Sequence, residues 1–514
     1  MSWATYFRLE TNGCSRAFTV RRISGGPDRN AHFGANTREI LMRYTIRRGG
    51  EEGELHWGRY EDGPTACVAH PKVMKSIARE LKAARAVSPH EVRLASAMSL
   101  APAGLRTTLG FNDGVIYPPN DMPTRAPLRA AVAASGLMGV SPVKTLHALA
   151  LLVDFSDNKG TRPPADFTTL LFDAANPGSM TSYYNTLSGG KINVTGEAIG
   201  YVRAPQPYGY YTNGQSGTAN TYPKNTPGLL VDALTQFCKS DSLNRFDTNG
   251  DGYVDGIFLI HAGGGAEAEN DPTKRADMIW SHKWTLPTPF VNNGVKVFAY
   301  STEPEDGRVG VFAHEFGHVL GLPDLYDTTY RSGGIGDWCL MAAGSWGGNG
   351  DQPCRMSAWC MSKLGWINPT VVKKAKKLTL PTLANDPKAC YRLWTKGSGG
   401  REYFLIENRQ ATGQDASLPG HGLAVWHIDE NQSENTNPLS YLVGLVQADG
   451  NRDIENNANG GDGTDLFPGS GPGKVTKLDK STKPNTNSNA GATTGVALSQ
   501  IKETNGIVTV SVRV

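Results

Sequence analysis

Residues 314–324 constrain the fold of this 514-residue chain more than any other segment, because a helical pattern is followed at once by a forced helix end. His314 and His318 are four residues apart, so on a helix they project from the same face, one turn above the other. Gly321 can adopt a left-handed conformation that ends the helix, and the Leu-Pro pair after it favours an extended path. We therefore expect Asp324 to turn back towards the two histidines.

These residue types at this spacing predict a catalytic zinc site. Two imidazoles one helical turn apart can bind one zinc ion, and a carboxylate such as Asp324 can supply the third ligand. Glu315 lies about 100° around the helix from His314, so it is placed to contact a zinc-bound water instead of the metal. Zinc lowers the pKa of such a water, and Glu315 would take its proton during attack on a peptide carbonyl. The predicted metal ligands are His314, His318 and Asp324, and the predicted catalytic base is Glu315.

A methionine downstream fits the same interpretation. Met341 follows a Gly-rich loop after Asp324. In metzincin proteases a methionine in a tight turn lies beneath the zinc as an apolar floor. A lone methionine is ordinarily core filler, but its place after the metal segment favours the Met-turn for Met341.

The run from residue 314 to 327, together with residues 338–346, resembles the immune inhibitor A family of secreted bacterial metalloproteases, which also has Asp as third ligand. The likeness extends through residues 179–196, 246–263, 404–410, 426–429 and 446–450. It therefore covers roughly residues 66–514. The resemblance implies a secreted zinc endopeptidase that acts on proteins or peptides and is made as a latent precursor.

Four zones are predicted along the chain. Residues 1–65 are Gly-rich and basic, and we expect an N-terminal extension that is poorly ordered. Residues 66–140 look like a pro-segment, with a helix at 71–86 followed by an extended stretch that could lie across a cleft. Residues 141–370 alternate strands and helices, which predicts an α/β (α+β) metzincin-like catalytic domain. Residues 371–514 contain short strands between Gly, Pro and Asn clusters, which predicts an all-β, sandwich-like domain.

The individual elements follow from apolar periodicity. In the catalytic zone we predict strands at 147–155, 191–202, 253–261 and 295–302, and helices at 167–172, 179–187 and 229–238. In the last zone we predict strands at 378–380, 403–407, 423–428 and 508–514.

Residues 247–255 resemble the start of an EF-hand calcium loop. The predicted calcium ligands are Asp247, Asn249, Asp251, the carbonyl of Tyr253, and Asp255. The twelfth position is Phe258 in place of the usual Glu, so another ligand would have to complete the shell.

A second acidic stretch could hold another calcium, although its irregular spacing fits a solvated loop equally well. Its acidic residues are Asp449, Asp453, Glu455, Asp462 and Asp465.

Three weaker features concern single residues. A thiolate at Cys67 could occupy the open zinc position of a latent protease, but nothing around it supports this, and a surface or paired cysteine is favoured. His261 and His282 are expected to be core or cleft-lining residues. Tyr326 and Tyr330 follow the third ligand, and either hydroxyl could stabilise an oxyanion.

Composition narrows the remaining function classes. A net charge of +3 over 514 residues gives no indication of nucleic-acid binding. No apolar run approaches the roughly 20 residues that span a bilayer, and the N-terminus does not resemble a signal peptide. We expect a monomer that is secreted. Two alternatives stay open: a binding protein with a vestigial protease domain, and an intracellular metal-dependent hydrolase of non-peptide substrates.

Overall fold

The computed structural model describes residues 44–48, 51–55, 65–87, 144–470 and 473–514. Contacts divide the chain into two units, Met1–Trp57 and Gly58–Val514. In the first unit, β1 (Tyr44–Arg48) and β2 (Glu51–Leu55) form an antiparallel pair. The rest of the extension predicted for residues 1–65, and the extended stretch predicted after the helix at 71–86, lie outside the described residues. Among the helices that are described, none has both the length and the apolarity needed to cross a membrane.

A six-stranded sheet forms the centre of the second unit. Its strands are β3 (Thr65–Ala66), β4 (Lys144–Asp154), β5 (Ile192–Arg203), β6 (Ile257–His261), β7 (His282–Asn292) and β8 (Val295–Pro304). Their spatial order is β3–β7–β8–β6–β4–β5. Strands β4, β5, β6 and β8 are parallel, whereas β7 is antiparallel to both β8 and β3. The edge formed by β7 is therefore extended by two residues from the N-terminal part of the chain.

Helices cover both faces of this sheet. The described helices are α1 (Pro71–Val87), α2 (Pro164–Phe172), α3 (Met180–Ser188), α4 (Tyr208–Thr212), α5 (Thr226–Phe237), α6 (Pro272–Ala276), α7 (Val309–Val319) and α8 (Ala358–Lys363). On β4, Leu146 and Leu152 pack in one core with α2, α3 and α7, whereas Leu149 and Leu151 pack in a second core with α5. A parallel strand that is buried on both faces has a nearly continuous run of apolar residues in its sequence. This run is why the sequence predicted β4.

Helix α7, which carries the metal segment, is buried along almost its whole length. Two glycines, about two helical turns apart, allow its backbone to pack closely against the loop that follows. A methyl group added at Gly310 would collide with the carbonyl of Ser345, and one added at Gly317 would collide with the sulfur of Met341. After the helix, Gly321 has a φ of +91°, as its sequence position predicted.

The hairpin of β7 and β8 was not predicted as a whole. Asn293 and Gly294 have φ values of +50° and +87°, the conformation of a two-residue type I′ turn. Strand β8 was predicted, but β7 contains Pro287 and Pro289, and proline argues against an internal strand. The pairing register of β7 with β8 shifts across these prolines. The Asn-Gly pair was the local signal for this hairpin.

Residues 370–513 contain two further sheets that share one core. The five-stranded sheet has the order β14 (Val443–Leu445), β13 (Gly422–Asp429), β12 (Glu402–Arg409), β11 (Tyr391–Trp394) and β9 (Thr370–Val371). The three-stranded sheet has the order β10 (Lys376–Leu380), β16 (Ile507–Arg513) and β15 (Ala497–Thr504). The shared core includes Leu380, Leu393, Ile406, Val425, Leu498 and Val510. The β-rich character is as predicted, while the sandwich assignment and the domain boundaries stay predictions.

A buried arginine of this β-rich region, which is ion-paired within the region, also hydrogen-bonds to the loops near α7. The guanidinium of Arg409 on β12 donates to both carboxylate oxygens of Asp415 at 2.8 and 2.7 Å, and to the carbonyl of Trp338 at 3.0 Å. Arg409 is 2% exposed. Asp415 in turn accepts from Arg355 N–H at 2.8 Å. Both members of the ion pair therefore hydrogen-bond to the main chain of the loops near α7, which fixes the two regions to each other.

Most of the predicted elements are confirmed, with ends that move by a few residues. The strand predicted at 253–261 is shorter, because β6 begins at Ile257 and Tyr253 makes an isolated bridge with Lys296. Besides β7, the sequence did not predict the helices α4, α6 and α8 or the strands β1, β2, β3, β9, β11, β14 and β15.

Candidate metal centre

Helix α7 and the turn after it bring the three predicted metal ligands together. His314 Nε2 and His318 Nε2 are 3.2 Å apart. Asp324 Oδ1 lies 3.1 Å from the first of these nitrogens and 3.2 Å from the second. All three side chains are buried. Three potential ligand atoms therefore form a nearly equilateral triangle at the end of the helix.

The size and polarity of this triangle fit a divalent cation. Ligands about 2.0 Å from a tetrahedral zinc ion lie about 3.3 Å from one another, close to the observed separations. Nδ1 of His314 donates to the carbonyl of Leu340 at 2.9 Å, and Nδ1 of His318 donates to the carbonyl of Leu322 at 2.8 Å. With the proton on Nδ1, both Nε2 lone pairs face the Asp324 carboxylate, and a cation would bind all three atoms.

Glu315 has the environment expected of a base kept free for chemistry. Its carboxylate is completely buried, and neither oxygen has a hydrogen-bond partner among the described residues. Burial raises the pKa of this carboxyl well above its usual range, and the nearby carboxyls of Glu303 and Asp324 raise it further. An unpaired buried carboxyl costs free energy, which is typical of a residue retained for function.

The pKa of the Asp324 carboxyl is shifted in the opposite direction to that of Glu315. Burial alone would raise the pKa of its carboxyl, but the charge and the Nε2–H hydrogen bonds of His318 and His314, when these rings are protonated, hold that pKa below its usual value. The carboxylate is therefore favoured in the ionised form that a metal ligand needs.

Met341 lies in a tight turn directly against α7. Ala342 N–H donates to the carbonyl of Cys339 at 3.0 Å, which closes the turn, and Leu325 N–H donates to the carbonyl of Met341 at 2.7 Å. Met341 is fully buried, with its sulfur against Gly317 between the two histidines in sequence. The turn therefore contacts both the helix and the segment that carries Asp324.

The preferred interpretation of Cys67 as a surface or paired cysteine is wrong. Cys67 is fully buried and is not in a disulfide. Its Sγ and ligand atoms of His314 and Glu315 lie within 4.8 Å of one another. The physical reason is the pairing of β3 with β7, a contact between distant parts of the chain that carries no local sequence signal.

Tyr326 and Tyr330, the two predicted oxyanion candidates, face the same segment. The hydroxyl of Tyr326 donates to the carbonyl of Ala66 at 2.7 Å, and the hydroxyl of Tyr330 accepts from Ala69 N–H at 3.2 Å. An extended segment, residues 65–70, lies beside the predicted metal ligands and precedes helix α1. The extended stretch predicted after the helix lies outside the described residues and stays a prediction.

The predicted calcium ligands lie in one compact turn. The Asp247 carboxylate accepts from the backbone N–H groups of residues 250–252 at 2.8, 3.1 and 3.0 Å. Asn249 Nδ2 donates to Asp251 Oδ2 at 2.9 Å, and Tyr253 N–H donates to Asp251 Oδ1 at 2.8 Å. The loop therefore keeps its side-chain oxygens close together at the surface.

Asp255, the fifth predicted calcium ligand, points the other way. Its side chain is fully buried, and it accepts from His147 N–H at 2.8 Å and from the Thr248 hydroxyl. The groups of three metal-binding side chains found within 4.8 Å in the described part of the chain do not include this loop. Calcium binding at residues 247–255 stays a prediction.

Three members of the second acidic stretch meet in space. Carboxylate oxygens of Asp449, Asp462 and Asp465 lie within 4.8 Å of one another, and Asp453 and Glu455 are not in that group. Asp465 is fully buried. Burial raises the pKa of its carboxyl to about 7, with a further contribution from Asp462. The alternative of a solvated loop does not describe Asp465.

The prediction that His261 and His282 are core or cleft-lining residues is confirmed. Both are fully buried, and burial lowers the pKa of each to about 4. His282 Nε2 hydrogen-bonds to the hydroxyl of Thr226 at 2.8 Å and to the hydroxyl of Tyr300 at 3.3 Å. These neutral rings support the sheet behind the metal site.

The geometry brings together the residues of an HExxH motif in an arrangement that could hold a metal ion, and the comparison with known proteins agrees. Residues 163–367 match the family described as immune inhibitor A peptidase M6, catalytic domain. The matched range includes α7, Asp324 and Met341. The predicted resemblance to the immune inhibitor A family is therefore confirmed for this part of the chain.

Two curated relatives extend this result. The chain is 33% identical over 304 residues to the pre-pro-metalloprotease PrtV of Vibrio cholerae, which covers 48% of this chain and 32% of the relative. It is 37% identical over 207 residues to immune inhibitor A of Bacillus thuringiensis subsp. alesti, which covers 35% of this chain and 30% of the relative. The chain thus spans about a third of the length of the curated relatives it matches.

The contact between Gly317 and Met341 leads to a prediction. We expect Gly317→Ala to destabilise the protein by about 1–3 kcal/mol, because overpacking against the Met341 sulfur outweighs the gain of about 1 kcal/mol in helix propensity. Zinc affinity should fall as well, because the displaced turn holds the carbonyl of Leu340. Urea denaturation and a zinc competition titration measure the two effects.

Gly209→Ala in α4 is the matched control, since a methyl group there would meet nothing within 4 Å. It should leave stability unchanged or slightly raised. Equal stability of the Gly317→Ala and Gly209→Ala proteins would show that the contact with Met341 is unimportant.

Proposed function

We propose that this chain is a secreted zinc-dependent endopeptidase that hydrolyses peptide bonds in proteins and is made as a latent precursor. The observation that carries the proposal is the triangle of His314, His318 and Asp324 beside the unpaired, buried carboxylate of Glu315. The match of residues 163–367 to a peptidase catalytic domain supports it.

In the proposed mechanism the chain's own residues bind the metal, position the substrate and move protons. His314, His318 and Asp324 would hold the zinc ion. When bound, zinc would polarise the scissile carbonyl and lower the pKa of a water molecule. Glu315 would accept the proton of the attacking water and then deliver it to the leaving amine. No hydrogen bond to a described residue competes for its oxygens.

We assign the catalytic domain to the metzincin type on the position of Met341. Met341 lies in a turn that contacts α7 at Gly317 and the segment leading from Asp324. It would provide the apolar floor beneath the metal. The third ligand is a carboxylate where standard metzincins have a histidine, as in the family that the chain resembles.

An extended peptide is the substrate form that the cleft favours. Strand β3 lies on the outer side of β7 and pairs with it in antiparallel orientation. A substrate that added to the same edge would gain main-chain hydrogen bonds without needing a particular sequence. The hydroxyls of Tyr326 and Tyr330 already contact main-chain groups here, which supports a role for either one at the oxyanion.

Precursor synthesis and export are proposed on the character of the relatives. One curated relative is described as a pre-pro-metalloprotease. The region from residue 66 would then act as the pro-segment, and residues 371–514 as a sandwich-like domain of a monomeric enzyme. A vestigial protease domain is disfavoured, because an inactive protein gains nothing from the cost of an unpaired buried carboxyl at Glu315.

Substitution of the base tests the proposed chemistry. We expect Glu315→Gln to lower kcat/KM for casein or a quenched peptide by about 10²–10⁴-fold, the usual contribution of a general base. Bound zinc should stay at one ion per chain, because Glu315 is not a ligand. Proteins are compared before and after limited trypsin treatment, with zinc measured by mass spectrometry.

The control is Glu503→Gln, which removes a carboxylate paired with the exposed His421 at 2.9 Å. It should keep full activity. Undiminished hydrolysis by the Glu315→Gln protein would rule out the proposed base, and failure of the unsubstituted chain to bind metal or cleave peptides would rule out the enzyme.

We also propose that calcium binds the turn formed by residues 247–255. Asp247, Asn249, Asp251 and the carbonyl of Tyr253 would supply oxygen ligands, which calcium prefers. The buried Asp255 carboxylate would position the loop by accepting a hydrogen bond from His147 N–H on β4.

A thermal shift assay with calcium tests this loop. A ligand at one hundred times its dissociation constant stabilises a protein by about 2.7 kcal/mol, so calcium should raise the Tm. Asp251→Asn should abolish the rise. Asp462→Asn, in the second acidic group, should preserve it. A rise that survives Asp251→Asn would exclude the loop as the calcium site.

A further inference from the structure

Residues 65–70 lie beside the predicted metal ligands and extend the edge of the sheet. Thr65 pairs with Lys283 and Ala66 with His282 in the antiparallel register of β3 and β7. Cys67 N–H continues this pattern by donating to the carbonyl of Ser281 at 2.8 Å. The segment therefore occupies the sheet edge that an extended peptide substrate would use.

Side chains of the catalytic region bind the main chain of this segment at successive residues. The indole N–H of Trp280 donates to the carbonyl of Cys67 at 2.8 Å, and that of Trp346 donates to the carbonyl of Val68 at 3.0 Å. The Tyr326 and Tyr330 hydroxyls bind the neighbouring residues on either side. Residues 66–69 are 6%, 0%, 0% and 0% exposed. The main chain is thus held at every position around Cys67.

Helix α1 anchors the segment on its far side. The Arg275 side chain, 8% exposed, forms an ion pair with Glu80. His70 N–H donates to the carbonyl of Glu267 at 2.9 Å, and the His70 ring lies 3.0 Å from Asn349 Oδ1. Since both flanks of Cys67 are fixed, its sulfur has a defined place in the cleft.

That place is beside the metal ligands. Cys67 Sγ lies within 4.8 Å of a ring nitrogen of His314 and of a carboxylate oxygen of Glu315. A histidine nitrogen and a thiolate sulfur on one tetrahedral zinc ion, at about 2.0 and 2.3 Å, lie about 3.5 Å apart. A small movement of the side chain would therefore bring the sulfur onto a metal held by the three predicted ligands.

We propose that Cys67 is a fourth protein ligand of this metal and that residues 65–70 keep the site closed in the uncleaved chain. The inference rests on the proposed function and specifies how latency arises. When the sulfur–metal bond forms, the thiol proton passes to solvent. The sulfur then fills the position at which Glu315 would meet the attacking water. Activation breaks the sulfur–metal bond, and water takes the vacated position.

The test uses the full chain with Glu315→Gln, so that no self-cleavage occurs, loaded with cobalt(II) in place of zinc. We expect a thiolate-to-cobalt charge-transfer band in the near ultraviolet. Cys67→Ala should abolish the band while one cobalt stays bound. Cys238→Ala, which alters a half-buried cysteine at the end of α5, should leave the band unchanged.

A second measurement uses the catalytically competent full chain. Cys67→Ala should raise the initial rate of quenched-peptide cleavage at least tenfold before any chain cleavage is seen, and Cys238→Ala should not. Cys67→Ser serves as the second variant, because it keeps the volume and a polar atom at the site if the alanine protein folds poorly. Circular dichroism checks that the Cys67→Ala and Cys67→Ser proteins are folded, and cobalt stoichiometry checks that each binds the metal.

The outcomes separate this inference from the proposed function. A parent chain that binds cobalt and cleaves peptides after trypsin treatment but shows no charge-transfer band would overturn the role of Cys67 alone. A band that persists in Cys67→Ala would do the same. A parent chain that neither binds cobalt nor cleaves peptides after trypsin treatment would overturn both.

Discussion

The convergence of three acceptor atoms at the end of α7 is the constraint on which the rest of the α/β region depends. His314 Nε2, His318 Nε2 and Asp324 Oδ1 lie 3.1–3.2 Å apart with no hydrogen-bond donor placed among them. Such an arrangement is unfavourable unless a cation or protons compensate it. The two Nδ1–carbonyl hydrogen bonds fix the rings in this orientation. The surrounding structure therefore has to hold a helix, a turn and an extended segment in fixed register.

Burial supplies that rigidity. Helix α7 can be enclosed because Gly310 and Gly317 let the following loop pack against its backbone. The same core continues into the β-rich region, and the buried Arg409 fixes β12 to the carbonyl of Trp338, three residues before Met341. The β-rich region is thus part of what positions the floor of the site. This explains why the α/β and β-rich regions form one compact unit.

The site was predictable where its geometry is local and unpredictable where it is not. Helical spacing, the left-handed Gly321 and the return of Asp324 all follow from short-range chain properties, and the structure brings these residues together as expected. The role of Cys67 depends on the pairing of β3 with β7, which joins distant parts of the chain. The strand β7 was itself hidden by two prolines, although the Asn-Gly turn after it was visible. The main-chain contacts of Trp280 and Trp346 have no local signal at all.

We expect one metal ion to bind at the triangle of His314, His318 and Asp324. Anomalous diffraction at the zinc absorption edge, from crystals of the full chain with Glu315→Gln grown with zinc, tests it most directly. One strong peak is expected, about 2.0–2.2 Å from His314 Nε2, His318 Nε2 and an Asp324 oxygen. A zinc peak bound elsewhere, with this triangle unoccupied, would contradict it.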